Sequence, residues 1–533
     1  AGRSSPWWVS GLSGFMTMFS AGTFVVWGGI AYRLGIVAVL INTCYGIAAL
    51  LVGRYVAGRW NQLGVSTPAE YVRQRFGKTG LHFFTWTMML KRILGVSVSL
   101  YALGVLSAAL IPQGILSQTW AIIIFGVIVV VYTMQGGLWA VLMTDVLQFI
   151  VLTVVVLMVA VLMISGMSSP AEYVSSVPEH FFSPVAGDYG WLFLAGWTTI
   201  HFFIVGAEWA FVQRFIAVRS PDDAKKSSYL FGIMYLVTPL FWLLPPLLYR
   251  GQTADANPEQ AYILAAQSVL PPGVLGLMVA AMFSATASMV SSQLNVFAGV
   301  LTNDFYRAFF NPNAPERTLV TTGRMFTAVL GALLITVAVL VPYLGGAEKL
   351  IITVNSLLVV PLLAPALWGL FSRKIGIREM CLVALTSFFI GVLLRFGIAT
   401  NPLIQETNSL APLAAYLSKN IKNLEVVVGV ILPILMLLAL ERLKRGTDPG
   451  WKVLEDGRAL LQSSIQESNS PASFDSFPAR MVMISLLVIA VGMLALGIFE
   501  PQGRTVVLSF GVILLLLAGV IHLVIRKLGV AYK

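Results

Sequence analysis

The sequence predicts an all-α polytopic membrane protein. Of its 533 residues, 58% are hydrophobic and 11% are charged, and the mean hydropathy is +0.85. Soluble domains instead have about 45–50% apolar and about 25% charged residues. Apolar stretches long enough to cross a bilayer as helices, about 18 residues or more, recur along the whole chain. The placement of Lys and Arg between these stretches predicts how the helices are oriented.

We count about 14 candidate spans from the apolar stretches. They are residues 7–30, 34–58, 80–111, 119–134, 138–166, 190–217, 228–250, 272–303, 319–343, 348–371, 378–399, 425–441, 480–500 and 505–526. With the N-terminus cytoplasmic, twenty-five of the 34 Lys and Arg residues fall on the cytoplasmic side and seven outside, while Lys91 and Arg92 lie within the third span. The positive-inside rule predicts this asymmetry. The net charge of +11 therefore indicates topology in the cell membrane and no nucleic-acid partner.

Polar residues and glycines interrupt the first and the sixth span. The segment MTMFSAGTF (16–24) interrupts the first, and WTTIHFFIVGAEWAF (197–211) places His201 and Glu208 around Gly206 in the sixth. Interrupted helices at corresponding places of two halves indicate the midplane site of a transporter. We therefore infer that spans one to five and six to ten are halves of inverted orientation. As alternatives, His201 is a packing residue and Glu208 lies too near the inner end of its span to contribute.

Hydroxyl groups follow one face of the eighth span, in FSATASMVSSQLN (283–295). At about 100° per helical residue, four serines share this face and Thr286 points the other way. These serines are Ser284, Ser288, Ser291 and Ser292. Hydroxyl oxygens are hard ligands, which suit Na⁺ better than a soft metal. Alternatively, the serines allow close helix packing and bond back to their own carbonyls.

Asp145 is the only acid between residues 71 and 171, and it lies well inside the fifth span. Ionised carboxylates at that depth are costly and are interpreted as functional. A monovalent cation held between Asp145 and the serine hydroxyls would offset the cost of burying the carboxylate. A structural hydrogen bond to a neighbouring helix is the alternative.

Six segments follow one another in this order along the chain: AGRSSPWW, SAGTF, STPAEYVRQRFG, GGLWAVLMTDVLQ, FVQRF and SSQLNVFAGVLTNDFYR. From residue 1 to about 375 the chain thereby resembles the sodium/solute symporter family, which contains sodium-coupled glucose, galactose, proline and sialic acid carriers. The resemblance implies a LeuT-like 5+5 inverted repeat followed by additional C-terminal helices. Family members usually carry one more helix before AGRS, which the given sequence does not include.

The predicted organisation follows from this resemblance and from the span positions. Residues 1–371 would form the ten-helix transport core, with inverted repeats at about 1–166 and 190–371. Residues 372–533 would form the additional helices, including a flexible cytoplasmic linker at 446–479, which is rich in Ser and poor in large apolar residues.

The resemblance also implies a shared sodium site. The family's ligands from the first helix fall on the carbonyls of Met16 and Phe19, and those from the eighth helix fall on Ala285, Ser288 and Met289. Met289 departs from the family, because most sodium-coupled members have Ser or Thr there and a thioether is a poor ligand for a hard cation.

A second sodium site, present in only some members, would use Asp145, Ser288, Ser291 and Ser292. All four residues are present in this sequence. We therefore expect Na⁺ to be the coupling ion. Asp145 is expected to contribute more to its binding than in members with a complete shared site.

The positions that bind solute in the family correspond less well. Its sugar contacts fall on Thr23, Asn42 and His201, where the sugar branch typically has Gln, Glu and Asn, and the aromatic positions of the proline branch fall largely on non-aromatic residues. The segment TMMLKRILGVSVSLYA is similar to the sialic acid branch, whose carboxylate-binding arginine corresponds to Arg92. A guanidinium suits that role because it binds a carboxylate bidentately. Alternatively, Lys91 and Arg92 extend to the cytoplasmic surface.

We therefore expect a monomeric secondary active transporter, in which Na⁺ drives symport of a small polar organic solute, sugar-like or carboxylate-bearing, by alternating access. Solute, sodium ions and the lipid bilayer are its expected partners. One alternative is a proton-coupled or facilitative carrier of the same fold, in which Asp145 or His201 titrates. Another is a membrane solute sensor. HExxH, GxSxG and glycine-rich phosphate motifs are missing from the sequence, so we do not expect an enzyme.

Overall fold

The computed structural model describes residues 5–111, 115–135, 138–167, 169–401, 404, 410–455, 477–499 and 504–531, without the side chains of 135–149 and of a few other helical residues. Within these ranges the chain is helical almost throughout, and its only β-type pairing is two isolated bridges. The predicted all-α class is confirmed.

The first part of the chain forms eight α-helices. They are α1 Trp7–Met16, α2 Gly28–Leu34, α3 Val37–Val52, α4 Gly58–Gln62, α5 Pro68–Leu110, α6 Gln118–Gln135, α7 Leu138–Ser165 and α8 Pro170–Ser176. The π-helical segments Thr23–Trp27 and Gly53–Ala57 lead into α2 and α4 respectively. The helix α5 bends at Gly77, whose φ of 74° favours glycine, so a short helical segment precedes its longer membrane portion.

The second part forms nine α-helices. They are α9 Trp191–Ala207, α10 Trp209–Ala217, α11 Pro221–Trp242, α12 Leu244–Gln252, α13 Ala261–Val269, α14 Pro272–Val300, α15 Glu316–Leu340, α16 Gly346–Val354 and α17 Val360–Trp368. The π-helical segment Asn355–Val359 joins α16 to α17.

The remaining described helices lie towards the C-terminus. They are α18 Ile377–Val392, α19 Ala411–Lys419, α20 Ile421–Val426, α21 Leu432–Leu443, α22 at 449–455, α23 Phe477–Phe499 and α24 Arg504–Ala531. The π-helical segments Leu393–Ala399 and Val427–Ile431 continue α18 and join α20 to α21.

Two of the long helices begin at the same local signature. Thr67 precedes Pro68 and accepts a hydrogen bond from the Glu70 N–H at 3.1 Å. Ser220 precedes Pro221 and accepts one from the Asp223 N–H, also at 3.1 Å. A hydroxyl at the N-cap satisfies a backbone donor that the first turn leaves unpaired, and proline fits the first helical position because it lacks an N–H.

Each of the predicted spans coincides with a helix or a broken helix. Within the described part of the chain, nine helices are long and apolar enough to cross a membrane, or up to eleven if each of two bent pairs is one span. The shorter apolar helices include Gln118–Met134 and Met483–Phe499. The membrane class is therefore supported, and the count of about 14 spans stays a prediction.

Both predicted interruptions are breaks in the helices. In the first span, α1 ends at Met16, and the chain makes turns before the π-helical segment Thr23–Trp27 begins. In the sixth span, α9 and α10 meet at Glu208, whose backbone is extended (φ −74°, ψ 134°), and their axes differ by 51°. Breaks of this kind leave backbone groups available to ligands or side chains.

The C-terminal helices pack against the core through two π-helical segments. At Gly429, in Val427–Ile431, an added Cβ would lie 1.8 Å from the Ser356 carbonyl oxygen of Asn355–Val359. Only glycine allows the two backbones to approach this closely.

Replacing Gly429 by alanine is therefore expected to destabilise the protein by about 3 kcal/mol or more, since the clash is with backbone and cannot relax by rotamer change. The melting temperature in detergent, followed by tryptophan fluorescence, measures the loss. Gly276→Ala in α14 is the matched control, because nothing lies within 4 Å of its Cβ position. Equal melting temperatures for the two variants would contradict this packing.

The start of the predicted linker 446–479 packs against the protein. Asp448 pairs with Arg75 at 2.6 Å, and in α22 the side chains of Trp451 and Leu454 are buried. Residues 456–476 of the predicted linker lie outside the described residues.

Candidate functional site

Hydrogen bonds connect the break in the first span to two other helices. The Ser20 hydroxyl bonds the Ser99 hydroxyl of α5 at 3.0 Å. The Ala21 N–H donates to the Thr286 hydroxyl of α14 at 3.0 Å, and Thr286 itself donates to the Met282 carbonyl. The break is therefore held between α5 and α14. The sequence pattern placed Thr286 on a different face from the serines, and that face is the one that contacts the first span.

The two predicted carbonyl ligands lie at the end of α1. Met16 is its last residue, and its carbonyl accepts a hydrogen bond from the Phe19 N–H at 3.0 Å. The Phe19 ring packs against Trp242 and Phe24, with centroids at 4.2 and 5.2 Å. Met16 ends the helix and Phe19 lies three residues beyond it, so both carbonyls lie where the helical hydrogen-bond pattern stops.

The hydroxyl face of α14 is largely buried. Ala285, Ser288 and Ser291 are buried, and Ser292 is half-buried. The helix packs against α7, the helix that carries Asp145. The Asp145 side chain lies outside the described residues, so the predicted ligand set of the second sodium site remains a prediction.

Met289 has a packing role. It is half-buried and lies against an apolar cluster that includes Ile93, Val96 and Leu294. The Met289 side chain thereby contacts apolar side chains of α5 and α14. The departure from the family's sodium-site pattern therefore coincides with an apolar contact between these two helices.

Of the predicted solute contacts, Asn42 and Thr23 are buried and make local hydrogen bonds. The Asn42 amide donates to the Ala38 carbonyl of its own helix at 2.9 Å. The Thr23 hydroxyl accepts from the Ser20 N–H at 3.3 Å, within the first break. Both positions thus lie beside the interrupted first span or on the helix that follows it.

His201 is enclosed by aromatic rings. Its ring lies 3.6 Å from the ring of Tyr45 and 4.7 Å from that of Trp197, centroid to centroid. Its Nδ1 lies 2.8 Å from the Trp197 carbonyl oxygen. These are the contacts expected if His201 is a packing residue. They join α9 to α3 at Tyr45, three residues beyond Asn42.

Arg92 and Lys91 share one buried carboxylate. Lys91 Nζ lies 3.1 Å from Glu208 Oε1, and Arg92 Nε pairs with the same oxygen. The Glu208 side chain is 2% exposed, and those of Lys91 and Arg92 are 8% and 14% exposed. The two cations of the third span therefore meet the break of the sixth at Glu208, the residue for which the sequence left open a position too near the inner end of its span to contribute.

This cluster carries a formal charge of +1 inside an apolar protein. A buried charge without a partner is costly, so the cluster favours a further negative group nearby. The break beside it is also held by Trp60, whose indole N–H donates to the Gly206 carbonyl at 2.6 Å. Residues of α4 and α5 thus contact the interruption at Gly206 and at Glu208.

A cavity of about 410 Å³ opens at the Arg33 end of the first span. It reaches Val25 and Val26, next to Thr23, and is bounded by α2, α16 and α20. At its mouth Glu348 accepts hydrogen bonds from Arg33 and from the Tyr189 hydroxyl. Burial, together with the Glu348 carboxylate, raises the pKa of the Tyr189 phenol well above its usual value, so this phenol stays a hydrogen-bond donor.

Among the described residues, no group of three or more His, Cys, Asp or Glu side chains could hold a metal ion. The oxygen donors near the first break are instead carbonyls and hydroxyls. This donor set is typical of a monovalent hard cation and unsuited to a transition metal.

Comparison with known proteins identifies relatives over most of the chain. The model of the sodium:solute symporter family matches residues 1–391. The chain is 27% identical over 452 residues to the sodium/glucose cotransporter of Vibrio parahaemolyticus, which covers 76% of this chain and 80% of that protein. It is 28% identical over 407 residues to the sodium/sialic acid symporter NanT of Aliivibrio fischeri, covering 71% and 77%.

A third relative and two solved structures also match the chain. The sodium/proline symporter of Haemophilus influenzae is 28% identical over 367 residues, covering 61% of this chain and 70% of that protein. A Na⁺-coupled sialic acid symporter solved in a substrate-bound outward-open state matches with a TM-score of 0.62 and 19% identity, covering 81% and 90%. A nucleobase-cation-symport-1 transporter matches with a TM-score of 0.52 and 15% identity, covering 85% and 97%.

The structural match to a Na⁺-coupled sialic acid symporter supports the LeuT-like fold that the sequence predicted. Together with the apolar helices, the family match makes the chain a multi-pass membrane protein. The family model covers well over half of the chain, and so this protein belongs to the sodium:solute symporter family.

Proposed function

We propose that this protein is a carrier, not an enzyme, that uses the inward flow of Na⁺ to take up a small organic solute with a carboxylate. The observation that carries the proposal is the pair of helix breaks, with the hydroxyl-rich α14 hydrogen-bonded to the first through Thr286. In this proposal residues 1–371 form the transport core, with halves at 1–166 and 190–371. The N-terminus of the given chain is cytoplasmic, and the Arg33 end of the first span is extracellular.

Sodium would bind beside the first break. The proposed shared site uses the carbonyls of Met16 and Phe19 with Ala285 and Ser288, and the proposed second site uses the residues of α14 that face α7. These residues are Ser288, Ser291 and Ser292, and Asp145 of α7 completes the proposed set of ligands. A cation bridging α1, α7 and α14 would favour the state in which these helices lie together, which is how ion binding couples to conformation. The membrane potential adds about 2.3 kcal/mol per charge per 100 mV.

The solute would lie between the two breaks, near Thr23, Asn42, Arg92 and His201. The +1 charge of the Lys91–Arg92–Glu208 cluster supports a solute with one carboxylate, because such a solute would bring the cluster to neutrality. Lys91 would then keep Glu208 while Arg92 binds the solute bidentately. A neutral hexose would leave the charge uncompensated.

A proton-coupled or facilitative carrier is the second candidate, and the apolar contacts of Met289 favour it. Uptake into proteoliposomes separates the two. Radiolabelled sialic acid, lactate, proline and glucose are supplied with an inward Na⁺ gradient or with choline, across pH 5.5 to 8. We expect Na⁺ to raise uptake of a carboxylate-bearing solute. Equal uptake in choline at every pH would exclude sodium coupling.

The sodium sites predict opposite effects of substitutions on the sodium concentration that gives half-maximal stabilisation of the purified protein. Ser292→Ala and Asp145→Asn each remove an oxygen ligand and should raise that concentration several-fold. Met289→Ser adds one and should lower it. Thermal unfolding in NaCl, with choline chloride at constant ionic strength, measures the effect without a known solute. Unchanged sodium dependence in all three variants would contradict both proposed sites.

A further inference from the structure

The wall of the cavity at the Arg33 end carries charges of both signs in equal number. Its acidic residues are Asp188, Glu259, Glu348 and Glu425, and its basic residues are Arg33, Lys349, Arg395 and Lys422. A wall with balanced charge does not by itself select an ion. What the cavity can bind is decided by which of these groups still have unused donors or acceptors.

The acids in the wall already have donors. Glu348 pairs with Arg33, accepts from Tyr189, and lies 3.5 Å from Lys422 Nζ. Glu259 accepts from the Tyr101 hydroxyl at 2.6 Å and from the Ala347 N–H at 3.3 Å.

The two other acids are paired as well. Glu425 forms an ion pair with Arg395, and Asp188, which is largely exposed, lies 3.8 Å from Lys422 Nζ. Each carboxylate of the wall therefore already has at least one donor or cation from the protein, although Glu425 Oε1 has only its ion pair with Arg395 and no hydrogen bond among the described residues.

Two of the four bases in the wall, Arg395 and Lys349, have donors to spare. The Arg395 side chain is 4% exposed and uses Nη1 for Glu425, while its Nε has no hydrogen-bond partner among the described residues. Lys349 likewise has no carboxylate within 4.0 Å among the described residues. A buried guanidinium N–H without an acceptor is costly, so the cavity favours a ligand that supplies acceptors.

We propose that this cavity contains a binding site for a carboxylate, formed by the Nε and Nη2 edge of Arg395 with Lys349 nearby. That edge presents two parallel N–H groups, which match the two oxygens of a carboxylate. A spherical halide would use the same donors with less complementarity. The volume of about 410 Å³ accommodates a small organic acid.

The site would give the C-terminal helices a role in the path of the solute. Arg395 lies in the π-helical continuation of α18, and Glu425 lies in α20, both outside the proposed ten-helix core. The cavity continues to Val25 and Val26, next to the first break. Resting on the proposed uptake of a carboxylate, the site would hold the solute before it reaches Arg92.

The test is carboxylate binding to the full-length protein in nanodiscs, with trifluoroacetate as the probe and its ¹⁹F line width as the readout. Arg395→Gln/Glu425→Gln removes both charges of the buried pair together, so that no unpaired charge remains. We expect this variant to reduce the protein-dependent broadening at least five-fold. Circular dichroism and gel filtration establish that it is folded. Unchanged broadening in the folded double variant would overturn the proposal.

Two further arms identify the ligand and the location. Acetate should displace the probe at a concentration at least ten-fold lower than chloride does, and equal displacement by chloride would overturn the carboxylate assignment. Arg92→Gln/Glu208→Gln removes the proposed central solute site, and the broadening that this variant retains should be abolished when Arg395→Gln/Glu425→Gln is added. Complete loss in Arg92→Gln/Glu208→Gln alone would place the probe at the central cluster instead. The readout needs no sodium gradient, so a failure of sodium-driven uptake is distinguishable from a failure of this site.

Discussion

Replacing Glu208 by alanine is expected to leave Lys91 and Arg92 as two unpaired cations inside the membrane protein. All three side chains are at most 14% exposed, so water cannot take over the role of the carboxylate. Removing one partner of a buried ion pair costs about 3–5 kcal/mol. We therefore expect a lower yield of folded protein and a melting temperature well below that of the wild type, measured in detergent by tryptophan fluorescence.

A second substitution tests whether charge is the cause. Glu208→Gln should be destabilising, and Lys91→Gln added to it should recover much of the loss because the cluster then has one cation fewer. Glu70→Ala is the matched control, since Glu70 lies in the first turn of α5 and its carboxylate accepts only local hydrogen bonds, from the Ser66 N–H and the Gln74 amide. If Glu208→Ala lowers the melting temperature no more than Glu70→Ala, the buried cluster does not stabilise the fold.

Arg75→Ala is expected to have a destabilising effect of similar size at the predicted cytoplasmic face. The Arg75 side chain is fully buried. It donates to the carbonyls of Gly369 at 3.1 Å, Ser372 at 3.0 Å and Ile375, and pairs with Asp448 at 2.6 Å. Removing it leaves the carbonyls that follow α17 without donors and Asp448 without its cation. The free energy of unfolding should therefore fall by about 3–5 kcal/mol, and thermal unfolding measures the loss of stability.

The matched controls for Arg75 are on the same turn. Arg73→Ala removes the same charge from an exposed position and should change the melting temperature little. Arg75→Lys should rescue poorly, because one ammonium group cannot reach acceptors on several sides as a guanidinium does. Full stability of Arg75→Lys would mean that only the charge of Arg75 is needed.

The helices and their interruptions could be predicted from local sequence. Apolar length predicted the positions of the spans, because the membrane requires every backbone group to bond within its own helix. The breaks at Met16 and Glu208 were predicted because hydroxyls, glycine and an acid interrupt apolar runs there. The start of the linker was less predictable, because Trp451 and Leu454 are buried by contacts with residues far away in sequence.

The partners of the polar side chains could not be predicted in the same way. Helical periodicity separated Thr286 from the serines of α14 correctly, yet it gave no indication that the first break lies on the Thr286 side. The charges of Lys91 and Glu208 were visible, but the two residues are 117 positions apart and are joined only by packing of α5 against the sixth span. The Gly369 carbonyl, an acceptor of Arg75, is 294 positions away along the chain.

The sequence by itself determined the class of this protein, its membrane character, its family resemblance and the places where two helices break. These properties depend on local composition and on residues close in sequence, where hydrophobicity and backbone bonding act directly. Only the tertiary structure decided which buried charges neutralise each other and which donors remain unused in the cavity beside Arg395. Those outcomes depend on distances between helices, since an ion pair or a hydrogen bond forms only within a few ångströms.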